Sequence, residues 1–336
     1  GLWGVWGQTI GIGTAVFTGY MLPLGADESY IALLTSVAYL LAAVQVLSSA
    51  WASRIRRRKR LVVGVGFAEI VLRNALPLIP LLFAAHLRLE ALAFLVAAGL
   101  LCGHVVAPFY NTWVANTVPE NIRARFTSRQ TILSTIAAMI AGFVVGRFID
   151  GFDGADKQTG FDLVFVFGAI FGLLGYLALA RAPHPAPPPP DEPTPERTAG
   201  LIAPLRDRNF RRAVLFYGSW TFAIGIGGPL YSVFMLVQLG ISYTWISIFN
   251  ALFMITSIAG YRFWAGLVDR FGSKPVLQIL MVPATFIPII WVFNTPGFFW
   301  FVPIALCVSG LIFSGILVAV TPLLYGLVPT GSQRPH

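Results

Sequence analysis

Apolar residues in this chain arrive in blocks of roughly 20, and that block length constrains the fold more than any other feature. A helix rising about 1.5 Å per residue needs about that many residues to cross the hydrocarbon of a bilayer. No water is available there to satisfy the backbone, so each block must close its own hydrogen bonds as a helix. The strict alternation of a barrel strand is absent. Composition agrees: 57% of residues are hydrophobic, 11% are charged and the mean hydropathy is +0.76. A soluble domain carries about 25% charged residues. The expected fold class is all-α, a polytopic transmembrane helical bundle.

Ten spans are predicted: Leu2–Leu24, Tyr30–Ala52, Leu61–Ala85, Ala91–Ala115, Thr131–Ile149, Phe161–Ala180, Ala213–Leu239, Trp245–Val268, Pro275–Phe293 and Phe298–Leu327. Eighteen of the 23 Lys and Arg residues fall in the even-numbered connections or the tail. The positive-inside rule then places those connections, and the N-terminus, in the cytoplasm of a cell (inner) membrane. The net charge of +9 is therefore an orientation signal, and no nucleic-acid partner is expected. Cys102 and Cys307 lie inside apolar blocks and are expected to be small buried hydrophobes, with no disulfide or metal implied.

Residues 182–212 break the pattern. They carry Pro185-Ala-Pro-Pro-Pro-Pro190 and then Arg206-Asp-Arg-Asn-Phe-Arg-Arg212, a composition that reads as an extended, semi-rigid linker. The predicted division is a six-helix bundle over 1–181, the cytoplasmic linker 182–212, and a second bundle over 213–336. The halves echo one another: a basic loop follows the second span and another follows the eighth. Such parallel repeats are one plan of secondary transporters.

The second of these loops carries a motif. Ala265-Gly-Leu267-Val-Asp269-Arg270-Phe-Gly272-Ser-Lys274 resembles the cytoplasmic signature Gly-x-Leu-x-Asp-Arg-x-Gly-x-Lys of the major facilitator superfamily, with Ala265 at the first Gly. The copy after the second span keeps its charge, including Arg54 and Arg57, but has Ser53 for the Asp and Arg56 for the Gly. The segment Pro119-Glu120 with Arg123, Arg125 and Arg129 is similar to the loop that many members carry after the fourth helix. The resemblance implies two bundles of six helices, a gating loop (Asp269, Arg270, Gly272, Lys274, Arg54, Arg57), and a central cavity lined by helices one, four, seven and ten. It also implies that the last two of twelve helices are missing, so that four of the second bundle are present. Ala138, Gly142 and Gly146, four apart on the fifth span and without a Pro, are read as a packing stripe rather than an antiporter signature.

Candidate chemistry follows from polar residues inside spans, which are costly there. Glu69 and Arg73 are four apart on one helical stripe, either a coupling carboxylate with its counter-charge or a self-neutralising structural pair. The resemblance puts their helix at the bundle's periphery. His104, Pro108 and Asn111 share a stripe of the fourth span; His104 is either a cavity group or a histidine held by a neighbouring helix. Gln8 on the first span and Tyr217, Trp220 and Tyr231 on the seventh complete the candidate cavity set.

The function expected is secondary active transport of a small solute by alternating access, driven by a coupling ion (proton or sodium), by a monomer embedded in the lipid bilayer. A ten-helix drug/metabolite-type exporter is the alternative, against which the long linker counts. No cofactor or metal is expected. The four His are scattered, which argues against an enzyme, and no Gly-x-x-x-x-Gly-Lys-[Ser/Thr] is present for an ATP-driven pump.

Overall fold

The computed structural model describes residues 1–42, 44, 45, 48, 58–154, 156–182 and 208–327. Among these the secondary structure is helical, and the only β feature is an isolated bridge between Thr295 and Phe298. The helices are α1 (Leu2–Ile10), α2 (Ala15–Met21), α3 (Glu28–Leu41), α4 (Arg58–Asn74), α5 (Ile79–Leu82), α6 (Arg88–Thr117), α7 (Glu120–Ile149), α8 (Asp156–Arg181), α9 (Arg208–Val233), α10 (Tyr243–Phe271), α11 (Ser273–Val292) and α12 (Phe301–Leu327). A π-helical turn, Phe234–Gln238, extends α9. Among the described residues seven helices are long and apolar enough to span a bilayer, and α4 with the bent segment Leu76–Leu82 makes an eighth.

Two expected spans are not single straight helices. The first breaks between Ile10 and Ala15. Gly13 sits at φ +84°, a conformation that a glycine adopts without strain, and Thr14 restarts the chain by accepting the Phe17 N–H at 3.2 Å. The third bends by 42° after Asn74, where Pro77 and Pro80 cannot donate into the helical ladder. Elsewhere α6 covers 88–117 and α7 begins eleven residues before Thr131, at Glu120, whereas α3 is 14 residues long and much of the rest of the second predicted span lies outside the described residues.

The outward faces carry large apolar side chains. Leu81, Phe94, Leu133, Ile140, Phe222 and Ile279 are all more than 60% exposed. A water-soluble surface would not tolerate so many, but a lipid-facing one requires them.

The described residues form two compact units. The first comprises 1–182 with 225–247, and the second comprises 208–224 with 248–327. In the first unit, α4 packs on α6 and α8, and α1 on α7 and α8. Tyrosines tie helices to distant backbone: Tyr20 donates to the Leu76 carbonyl (2.6 Å) and Tyr30 to that of Leu89 (2.5 Å). Segment 225–247 joins this unit through Ser232, which donates to the Gly13 carbonyl at 2.8 Å, and Ser247, which donates to the Gly142 carbonyl at 2.7 Å. Gly142 and Gly146 thus serve the close packing expected of their stripe: a Cβ at 146 would come within 2.8 Å of Ser247 Oγ. In the second unit α11 and α12 form an antiparallel pair, and Trp264 of α10 donates to the Leu311 carbonyl of α12 at 2.9 Å.

Candidate functional site

Glu69 and Arg73 face inward from α4, at 6% and 7% exposure, rather than lying at the periphery. Glycines on the opposing helix make this position available. A Cβ at Gly103 of α6 would sit 2.5 Å from Glu69 Oε1, and Gly99 accommodates the Arg73 stem in the same way. Gly66 of α4 makes room for the Tyr176 ring of α8. Small residues here let three spans close around a charged pair.

The pair is one part of a larger network. Arg73 Nη1 lies 3.4 Å from Glu69 Oε1, and Tyr176 donates to Glu69 Oε2 at 3.2 Å. Arg73 Nη2 donates to the Ile10 carbonyl at 2.7 Å. That oxygen belongs to the last turn of α1, whose carbonyls lose their helical partners where the first span breaks. A cation at this C-terminal end also meets the negative pole of the helix dipole. The guanidinium stacks over the Trp6 ring, 4.7 Å from its centre, and Trp3 packs edge-on against both Trp6 and Tyr176.

These groups line a cavity of about 440 Å³ within the first unit. Its polar wall is built from Gln45, Glu69, Arg73, His104, Tyr110 and Tyr176. Its size falls within the range of small-molecule sites, roughly 300–1,000 Å³. His104 is held by a neighbour: Gln45 Nε2 lies 2.8 Å from His104 Nδ1. His104 thus lines the cavity and meets Gln45 of another segment.

A second cavity of about 450 Å³ adjoins the first. Its wall is rich in hydroxyl and amide groups, with Asn111, Thr127, Gln130 and Ser134 beside Arg123. Tyr110 and Gln130 line both cavities, and Gln130 donates to the Tyr110 hydroxyl at 2.9 Å, so this bond forms part of the shared wall. The stripe His104–Asn111 is thus divided between two compartments.

The remaining candidates lie elsewhere. Gln8 is half-buried against Gly142 and does not line the His104 cavity. Tyr231 belongs to the first unit; Tyr217 and Trp220 belong to the second, where Trp220 packs against Phe313 with ring centres 6.1 Å apart. In the loop motif, Asp269 and Arg270 occupy the last turn of α10 and stand exposed. Gly272 turns the chain at φ +85°, and its N–H bonds the Val268 carbonyl at 2.8 Å. Lys274 opens α11. Arg54 and Arg57 lie outside the described residues. Cys102 and Cys307 are free and, contrary to expectation, only partly buried. Sequence reasoning missed Trp3, Trp6, Gln45, Tyr110, Gln130 and Tyr176. In an apolar span, aromatic residues look like packing, and single amides carry no periodic signal.

Comparison with known proteins agrees with this architecture. The sequence model of the Major Facilitator Superfamily matches residues 4–334. Among curated proteins, none matches the chain. A crystal structure of a mutant of the nucleoside transporter NupG is similar at a TM-score of 0.69 and 18% identity, covering 95% of this chain and 78% of that one. A crystal structure of a D-xylose-proton symporter gives 0.61 and 14%, covering 94% and 79%. The inward-open xylose transporter XylE from E. coli gives 0.59 and 14%, covering 99% and 90%. At such identities these likenesses speak to the fold alone. The family match sets aside the drug/metabolite-type alternative: this multi-pass membrane protein belongs to the Major Facilitator Superfamily.

Proposed function

We propose that the chain is a secondary active transporter that moves a small hydrophilic solute by alternating access between the repeats 1–181 and 213–336, joined by a cytoplasmic linker at 182–212. The observation that carries this reading is the cavity of about 440 Å³ among membrane-spanning helices, which sets Glu69, Arg73 and His104 in a largely apolar wall. Ionisable side chains at membrane depth are expensive, so a fold that gathers Glu69, Arg73 and His104 around one space has reason to keep them there. Fold relatives described as a nucleoside transporter and a D-xylose-proton symporter are consistent with a small solute and a coupling ion, proton or sodium. Glu69 is the carboxylate within that cavity, with Tyr176 and Arg73 as its partners. We place the N-terminus and basic connections in the cytoplasm of a cell membrane, from the Lys and Arg count.

The test is uptake by the purified chain in proteoliposomes, against a panel of nucleosides and pentoses, with and without an imposed pH gradient. Accumulation of one solute that collapses with the gradient supports the reading. Correctly inserted protein that moves none of the panel, in either direction, sinks it.

A further inference from the structure

Asp150 ends α7 in the connection opposite the basic loops, and both its carboxylate oxygens are taken by the start of α10. Oδ1 accepts the Tyr243 N–H at 3.0 Å; Oδ2 accepts the Thr244 N–H at 2.8 Å and the Thr244 hydroxyl at 2.6 Å. An anion here satisfies orphan donors of the helix and meets the positive end of its dipole. Ordinarily a helix is capped by the residue just before it. Here Ser242 does so only at 3.5 Å, accepting the Trp245 N–H, and the first two N–H groups are capped from 93 and 94 positions earlier in the chain.

The contact is reinforced on all sides. Lys157 lies over the Tyr243 ring, 5.1 Å from its centre, and Phe161 packs against that ring at 5.7 Å. A Cβ at Gly146 would lie 2.6 Å from the Tyr243 carbonyl oxygen, and one at Gly19 would collide with the Tyr243 hydroxyl. The glycines therefore permit an approach that any side chain would block. One turn further, Ser247 bonds the Gly142 carbonyl. Segment 225–247 is thereby held in the first unit, although both helices that it joins continue into the second.

We propose that Asp150 is a latch: its carboxylate caps α10 to hold segment 225–247 closed at the end opposite the basic connections, and alternating access requires this cap to break. The latch rests on the transport reading above. It makes Asp150 a residue that sets the balance between two conformations without touching solute.

The experiment uses the full chain in proteoliposomes with Cys102→Ala and Cys307→Ala, and two reporters read separately. Ser232→Cys replaces a residue that is 7% exposed against the Gly13 carbonyl. Asn111→Cys replaces an exposed residue in the cavity toward the basic connections. Each is labelled with a charged methanethiosulfonate from its own side. Removing a helix cap shifts the equilibrium by a factor of roughly 3 to 30. Asp150→Ala is expected to raise the Ser232→Cys rate by that factor and to lower the Asn111→Cys rate, because opening one side closes the other. Asp150→Asn, which keeps one acceptor oxygen of the two, is expected to fall between the parent protein and Asp150→Ala. A rise at both reporters means loosened packing and overturns the latch. Unchanged rates, where the Ser232→Cys protein still accumulates solute, also overturn it, and leave transport standing.

Discussion

Replacing either partner of the Glu69–Arg73 pair with Gln should not be equivalent, and the structure sets the order. Glu69→Gln leaves a lone guanidinium in the span, a cost of about 2.5–3.5 kcal/mol on insertion scales. Arg73 nevertheless keeps the Ile10 carbonyl at 2.7 Å and the Trp6 face at 4.7 Å. A partly desolvated cation over an aromatic ring recovers roughly 0.5–2 kcal/mol. The net loss is then about 0.5–3 kcal/mol. Arg73→Gln leaves a lone carboxylate whose remaining partner is the Tyr176 hydroxyl at 3.2 Å. It also strips the donor from the Ile10 carbonyl at the break of the first span, and an orphaned buried acceptor costs about 1–3 kcal/mol. The combined loss is about 4–6 kcal/mol. The double variant removes both charges and keeps only the carbonyl deficit, so it should be less damaged than Arg73→Gln alone.

Reversible unfolding in mixed micelles measures these differences directly. The pH response separates the two singles. Lowering the pH supplies a proton that neutralises the stranded Glu69 of Arg73→Gln, so its deficit should shrink as pH falls. Glu69→Gln has no carboxylate at that position and should not respond. Equal losses in the two singles, or a double variant as damaged as Arg73→Gln, would refute the assignment of Arg73 to the broken end of α1. A coupling role for Glu69 is read separately: Glu69→Gln would then exchange solute down its gradient without accumulating it.

Two further outcomes follow from the same geometry. Gly103→Ala puts a methyl group 2.5 Å from Glu69 Oε1 and should cost about 1–3 kcal/mol in the same unfolding assay, while Gly64→Ala, with open space at its Cβ, should cost none of it. Asp269→Asn, in the exposed last turn of α10, should leave insertion intact and lower the transport rate if the loop gates; unchanged transport would leave that loop without a gating role.

Much of the fold was legible because a bilayer enforces a simple rule. Spans must be long, apolar and helical, so block length exposes most of the helices before any packing is known. The pair Glu69 and Arg73 was legible for the same reason: charge is rare in a span, and spacing of four puts both groups on one face. The break in the first span left a weaker trace. Gly11-Ile-Gly13-Thr14 offers a positive-φ residue followed by a capping residue, yet within an apolar block glycines equally suit helix packing. Only the Arg73 side chain, arriving from 63 positions away, shows what the break supplies: an unpaired carbonyl that a cation can hold.

Asp150 marks the opposite limit. In sequence it is the first of three Asp in Asp150-Gly-Phe-Asp153-Gly-Ala-Asp156, a turn whose charge reads as solvation of a loop. Nothing local separates Asp150 from Asp153, because periodicity reports which face of an element is buried and says nothing of which distant helix end lies opposite. What distinguishes it is the pairing of two ends that the chain brings together from 93 residues apart, with glycines at 19 and 146 clearing the approach. Each of those glycines has a plausible bland reading by itself. Their joint purpose exists only once Tyr243 is placed between them. A gating residue of this kind is therefore harder to read from sequence than a cavity residue. A cavity polar group violates the composition of its own span, whereas a latch obeys the rules of its loop and acts through a helix end that it meets only in the folded protein.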